Sequence, residues 1–121
     1  MNIYFGHSKE LDYENFYQKI RESFKNTKYN FIFPHEKSKD SRNGRAFYSK
    51  ANIDLFIAEV SLPATGLGIE LGFSHDEGIP IICFYNSTKT YSNYLKSVTD
   101  KFIAYNDINN FITKLQEVLT E

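Results

Sequence analysis

Five short apolar runs recur along the chain: NIYFG (2–6), YNFIF (29–33), IDLFIAEV (53–60), IPIICFY (79–85) and KFIAY (101–105). The stretches between them carry helical periodicity, and this alternation predicts a parallel sheet with helices on both faces. Between the first two runs, Leu11, Phe16, Ile20 and Phe24 fall at spacings of five, four and four, which suits one face of a helix. After the third run, TGLGIELGFSHDEG (65–78) opens a helix that closes at Gly78, a residue suited to a C-cap, with Pro80 just beyond. SNYLKSVTD (92–100) predicts a short helix. DINNFITKLQEVLT (107–120) predicts a longer one, striped by Ile108, Phe111, Ile112, Leu115, Val118 and Leu119. SRNGRAFYSKAN (41–52) has a weaker pattern in Ala46, Phe47 and Ala51, lowered by Gly44, and reads as a short or irregular helix.

The 121 residues suit one domain spanning 1–121, and 41% hydrophobic residues, among them 11 Phe and 9 Tyr, are ample for its core. A net charge of -1 and the lack of any basic run remove the electrostatic footprint of a nucleic-acid binder, so a small molecule is the expected partner. MNIYFGHSKE has no basic segment leading into a long apolar one, and no stretch of about 18 apolar residues occurs, which predicts a soluble, cytoplasmic protein away from membranes. Cys83, the one cysteine, lies within an apolar run and is expected in the core.

In an open parallel sheet the ligand lies outside the carboxyl ends of the strands. The loops there are Gly6-His7-Ser8, Pro34-His35-Glu36, Glu59 to Gly68, and Asn86 to Tyr94. GLGIELG (66–72) has glycines spaced somewhat like a dinucleotide fingerprint, but it follows the third run rather than the first, and the next run ends in CFYNSTKT without the acidic residue that ribose binding needs. A helix N-terminus with small residues still suits a phosphate or a sugar hydroxyl. Glu70 does not suit a phosphate cradle. Placed near the second or third helical position, its charge would be favoured by the helix dipole, which predicts an ionised group of lowered pKa.

The 15 residues AEVSLPATGLGIELG (58–72) closely resemble the signature of the nucleoside 2-deoxyribosyltransferase family, in particular its 2'-deoxynucleoside 5'-phosphate N-hydrolase branch, and IYFGHS (3–8) is similar to that family's first strand and loop. The resemblance implies a flavodoxin-like (Rossmann-like) three-layer α/β fold with a five-stranded parallel sheet, no cofactor or metal, and a glutamate nucleophile at the position of Glu70. That carboxylate would attack C1' of a 2'-deoxynucleoside or its 5'-monophosphate and displace the base, leaving a glycosyl ester for water or a second base to resolve. Tyr4 matches a tyrosine that lies near the nucleophile, and Ser8 and His7 match residues of the first loop that bind the 5' end. Gly66 and Gly68 would let the sugar and its 5' substituent approach the backbone, and His35 and Glu36 sit where a base would lie. Family members complete each site with a neighbouring subunit, which implies a homodimer or higher homo-oligomer with shared sites and Ser92 crossing between copies.

The departures are specific. Where the hydrolase branch has a phosphate-binding serine and the transferase branch an aspartate, this chain has Ala64, with Thr65 the nearest hydroxyl. Where the family has a base-contacting aspartate, an ungapped count reaches Ala46. Protonation of the leaving base is worth about 10²–10⁴ in rate, and the candidates for it are His35, Glu36 and Glu59. A nucleotide-binding or sensing module that has lost its acid is the alternative. A receiver domain is disfavoured, because the first run ends in FGHS without an acidic pair and Asp54 lies at the wrong end of its strand. A metal site from His7, His35, Glu36, His75 and Asp76 lacks any recognised ligand spacing.

Overall fold

The computed structural model describes residues 1–35 and 52–120. In chain order, β1 (Asn2–Gly6), α1 (Tyr13–Phe24) and β2 (Asn30–Ile32) precede β3 (Leu55–Glu59), α2 (Thr65–Asp76) and β4 (Ile81–Asn86). A 3-10 turn (Asn93–Ser97), β5 (Phe102–Tyr105) and α3 (Ile108–Leu119) complete the order. All strand pairs are parallel, and the sheet order is β2-β1-β3-β4-β5. This is the flavodoxin-like order, with its reversal between β1 and β3. All five predicted strands are present, the first with its predicted bounds and the other four shifted or trimmed by a residue or two at their ends. The helix predicted within 41–52 falls outside the described residues.

Alternation along the strands divides the interior into two layers of packing. Ile3, Phe5, Leu55, Ile57 and Phe84 point toward α1 and α3, where Phe16, Ile20, Phe111 and Leu115 meet them. Tyr4, Phe56, Ala58, Ile81 and Cys83 point the other way, toward Leu67 and Leu71 of α2. Cys83 is fully buried and burial pushes its thiol up to about 12, which leaves it an unreactive core residue.

The helix ends follow local chemistry. At the end of α2, Gly78 adopts φ 74°, the Ile79 amide donates to the Ser74 carbonyl at 2.9 Å, and the Gly78 amide donates to that of His75 at 3.1 Å. These two bonds make the glycine-based stop that Gly78 suggested. The Asp107 carboxylate caps α3 by accepting from the Asn110 amide at 2.8 Å. Leu11 precedes α1 and packs against the core from the loop, while Phe16, Tyr17, Ile20 and Phe24 form the buried helix face. Among the described residues no helix is long and apolar enough to cross a membrane.

Candidate active site

The site begins with a close approach. A Cβ on Gly6 would lie 2.6 Å from ring carbons of Phe56 and 3.0 Å from Leu67 Cδ1, so only glycine lets Phe56 and α2 close over the end of β1. With Leu67 seated there, Glu70, Leu71 and Ser74 follow at i+3, i+4 and i+7 on the same inward face of α2. The Glu70 carboxylate then meets β1, where the Tyr4 hydroxyl donates to Oε2 at 2.6 Å. Tyr4 is fully buried and its ring packs on Phe56 at a centroid distance of 5.1 Å. Tyr4 therefore belongs to the core through its ring and to the site through its hydroxyl.

Glu70 is the sixth residue of α2, not the second or third, and the first turn carries no acid. The expectation of a dipole-lowered pKa is corrected accordingly: burial raises it, and the bond from Tyr4 offsets part of that rise. The helix dipole falls off within the first turn, while desolvation acts wherever the carboxylate is enclosed. Oε1 accepts no hydrogen bond among the described residues, and no buried polar atom there is left unpartnered, so Oε1 is open to solvent.

The pair lies beside the β1–β3 reversal, the place where this topology opens a crevice for ligands. A separate groove of about 930 Å³ runs between the start of α2 and the loop after β4, and it gathers Ala64, Thr65, Gly68 and Ser92. Neither Tyr4 nor Glu70 lines it. Ala64 is the N-cap of α2 and makes no side-chain capping bond, and a Cβ on Gly66 or Gly68 would meet nothing within 4 Å. Ser92 instead caps the 3-10 turn, accepting from the Tyr94 amide at 3.3 Å.

The loop after β1 is tightly held. His7 and Ser8 are both buried; His7 bonds through Nδ1 to the Ser8 carbonyl and through Nε2 to Tyr17, and Ser8 Oγ accepts from the Glu10 amide at 3.0 Å. His35, half-buried at the end of β2, has its ring 5.0 Å from that of His7. Glu36 and Ala46 fall outside the described residues.

Glu59 is placed on the opposite face of the sheet, with Leu55 and Ile57. It is 1% exposed, and its carboxylate accepts from the Ser61 amide at 3.0 Å, the Ser61 hydroxyl at 2.7 Å and the Tyr105 hydroxyl at 2.5 Å. Burial and the bond to Glu59 hold Tyr105 protonated, well above the usual phenol range. A carboxylate so engaged ties the ends of β3 and β5 together. His75 and Asp76 are exposed on the last turn of α2, and no cluster of three or more His, Cys, Asp or Glu among the described residues is arranged to hold a metal ion.

Two solved structures share this architecture over nearly the whole chain. A CMP N-glycosidase of Clostridium botulinum, BcmB, matches with a TM-score of 0.73 and 18% identity, covering 97% of this chain and 99% of that one. The likeness establishes the fold. A conserved protein of Enterococcus faecalis V583 matches with a TM-score of 0.71 and 13% identity, covering 98% of each chain. No protein-family model matches the sequence, and no curated protein matches it significantly.

Tyr17, Ser61 and Tyr105 were missed as polar participants by the reading of the sequence. A signal was available for Tyr17: a tyrosine on a buried helix face must find a partner for its hydroxyl.

Proposed function

We propose that this protein cleaves the N-glycosidic bond of a nucleoside or nucleoside 5'-monophosphate, with Glu70 as nucleophile. The observation that carries the reading is the Tyr4–Glu70 pair beside the reversal of strand order between β1 and β3, with one carboxylate oxygen bonded and the other open. Oε2 is fixed by Tyr4 and Oε1 attacks C1'. The C1'–N bond breaks through an oxocarbenium-like transition state, the base leaves with the bonding electrons, and a glycosyl ester forms on Glu70. Water, or an acceptor base, then displaces the carboxylate. Tyr4 favours the ionised form that burial disfavours, and so counters part of the desolvation of the nucleophile. With Glu59 engaged, His35 is the described candidate left to protonate the base. The fold shared with a CMP N-glycosidase supports this class of reaction and brings ribonucleotides into the substrate range alongside deoxynucleotides.

The test is base release over a panel of nucleosides and 5'-monophosphates, deoxy and ribo, with and without an acceptor base, using wild type and Glu70→Gln. Release by wild type that is abolished in Glu70→Gln supports the reading. Absence of release throughout, together with tight nucleotide binding, makes the protein a nucleotide-binding module. The specific observation favouring that second reading is that Glu59, one of the candidate acids, is engaged in structural bonds.

A further inference from the structure

Ser61 joins the carboxyl ends of three strands. Its amide donates to Glu59 Oε1 at 3.0 Å, its hydroxyl donates to Glu59 Oε2 at 2.7 Å, and its Oγ accepts from the Asn86 amide, at the end of β4, at 2.7 Å. Tyr105 holds Glu59 from β5 through its own hydroxyl, and its ring packs on Phe16 and Phe111 with centroids 6.1 and 5.3 Å away. Glu59, the buried carboxylate that takes no part in the proposed bond cleavage, is thus the hub of a clamp on Ser61. Leu62, Pro63 and Ala64 then lead to the start of α2 at Thr65. Proline fixes its own φ and keeps the residue before it out of the helical region, so Leu62 and Pro63 make a stiff link. The helix start has no other polar anchor in its cap, because Ala64 makes no side-chain capping bond.

We propose that Ser61 is a positioning residue for Glu70: clamped between Glu59 and the end of β4, it fixes the point from which α2 leaves the sheet and so holds the Glu70 carboxylate at the Tyr4 hydroxyl. This rests on the reading of Glu70 as nucleophile and deepens it. The packing of Leu67 and Phe56 over Gly6 brings α2 close to β1, but apolar contact is non-directional and does not stop the helix sliding along its axis. Glu70 lies about 7.5 Å along that axis from Thr65, at ~1.5 Å per residue, so a rigid helix carries any shift of its start to the carboxylate. A slide of about 1 Å away from Tyr4 stretches the 2.6 Å bond to where it no longer counts as one.

The test reads the Glu70 carboxyl itself and needs no turnover. Carbon-13 NMR follows its titration, with the signal assigned by its absence in Glu70→Gln. Burial raises the midpoint and the Tyr4 bond lowers it, so displacement from Tyr4 is read as a rise. Tyr4→Phe should give the full effect of a bond to a charged group, about 1–2 pH units. Ser61→Ala, which takes the hydroxyl from both Glu59 and Asn86, should reproduce about half of that rise or more. Pro63→Gly alters only an exposed residue of the link, keeps the Ser61 clamp, and should move the midpoint the same way. Tyr105→Phe weakens the network without cutting Ser61 from Glu59 or β4, and should leave the midpoint at its wild-type value. A wild-type midpoint in Ser61→Ala overturns the proposal, as does a rise in Tyr105→Phe equal to that in Ser61→Ala. If Ser61→Ala does not fold, Pro63→Gly decides: an unmoved midpoint there overturns it. Midpoints that move as stated in a protein without base release separate the two readings, since the nucleophile then falls while the clamp on Glu70 stands.

Discussion

Replacing Tyr4 by Phe removes one oxygen and little else, since the ring and its packing on Phe56 remain. The lost bond joins a neutral donor to a carboxylate, a class worth about 1.5–3 kcal/mol, which at ~1.36 kcal/mol per factor of ten is about 13- to 160-fold. Burial already raises the Glu70 pKa and the Tyr4 bond lowers it, so Tyr4→Phe lets it rise further. The ionised Glu70 carboxylate becomes scarcer at any pH below the new value. The expected result is an acid limb of kcat/KM for base release that moves to higher pH, with a loss of about 13- to 160-fold on its low-pH side. Above both limbs the two proteins carry the same charged carboxylate, and the loss shrinks to what orientation alone contributes. The variant's carboxylate, bare of its donor, is if anything the stronger nucleophile there. The assay is base release from the best substrate across pH 4 to 9, with circular dichroism at each pH as the folding control. A loss of the same size at every pH, with the acid limb unmoved, would refute the claim that Tyr4 acts by holding Glu70 ionised.

The remaining predictions concern stability and assembly. Glu70→Gln should raise the melting temperature at pH 7, because a carboxylate whose folded pKa lies above its ordinary 4.5 contributes stability at low pH that is lost as pH rises through the folded value. That advantage should vanish in melts taken below about pH 4, and a variant less stable than wild type at pH 7 contradicts it. Glu59→Ala leaves the Ser61 amide, the Ser61 hydroxyl and the Tyr105 hydroxyl without their shared acceptor. The loss of about 3–5 kcal/mol corresponds to ~12–20 °C for a chain of 121 residues. A calorimetric shift under about 4 °C would show the network to be dispensable. If sites are shared between two copies, mixing inactive Glu70→Ala with an inactive Ser92 variant should restore part of the activity. A monomer by light scattering at full activity removes the shared site.

The three-layer α/β class was legible because burial on both faces of the sheet leaves a periodic mark: strands such as IDLFIAEV are apolar on successive residues, while the Phe16–Ile20–Phe24 face repeats at helical spacing. Gly78 was legible as a stop for a similar reason, since its conformation is set by the residues beside it. The orientation of α2 was not legible. Its inward face holds Glu70 and Ser74, and Ile69 is 52% exposed, so hydrophobic periodicity gives that helix no direction. What orients it is the close approach of Leu67 and Phe56 over Gly6, and the same approach brings Glu70 to Tyr4, 66 residues away. The sign of the Glu70 shift follows from that enclosure rather than from position within the helix. Glu59 and Glu70 are both acids within one motif, and a chain read residue by residue cannot separate them. Tertiary structure does, by giving one a set of structural donors from Ser61 and Tyr105 and the other a single tyrosine and an open oxygen. Sequence carries local period and turn chemistry, whereas desolvation and hydrogen-bond partnership are properties of groups that only folding brings together.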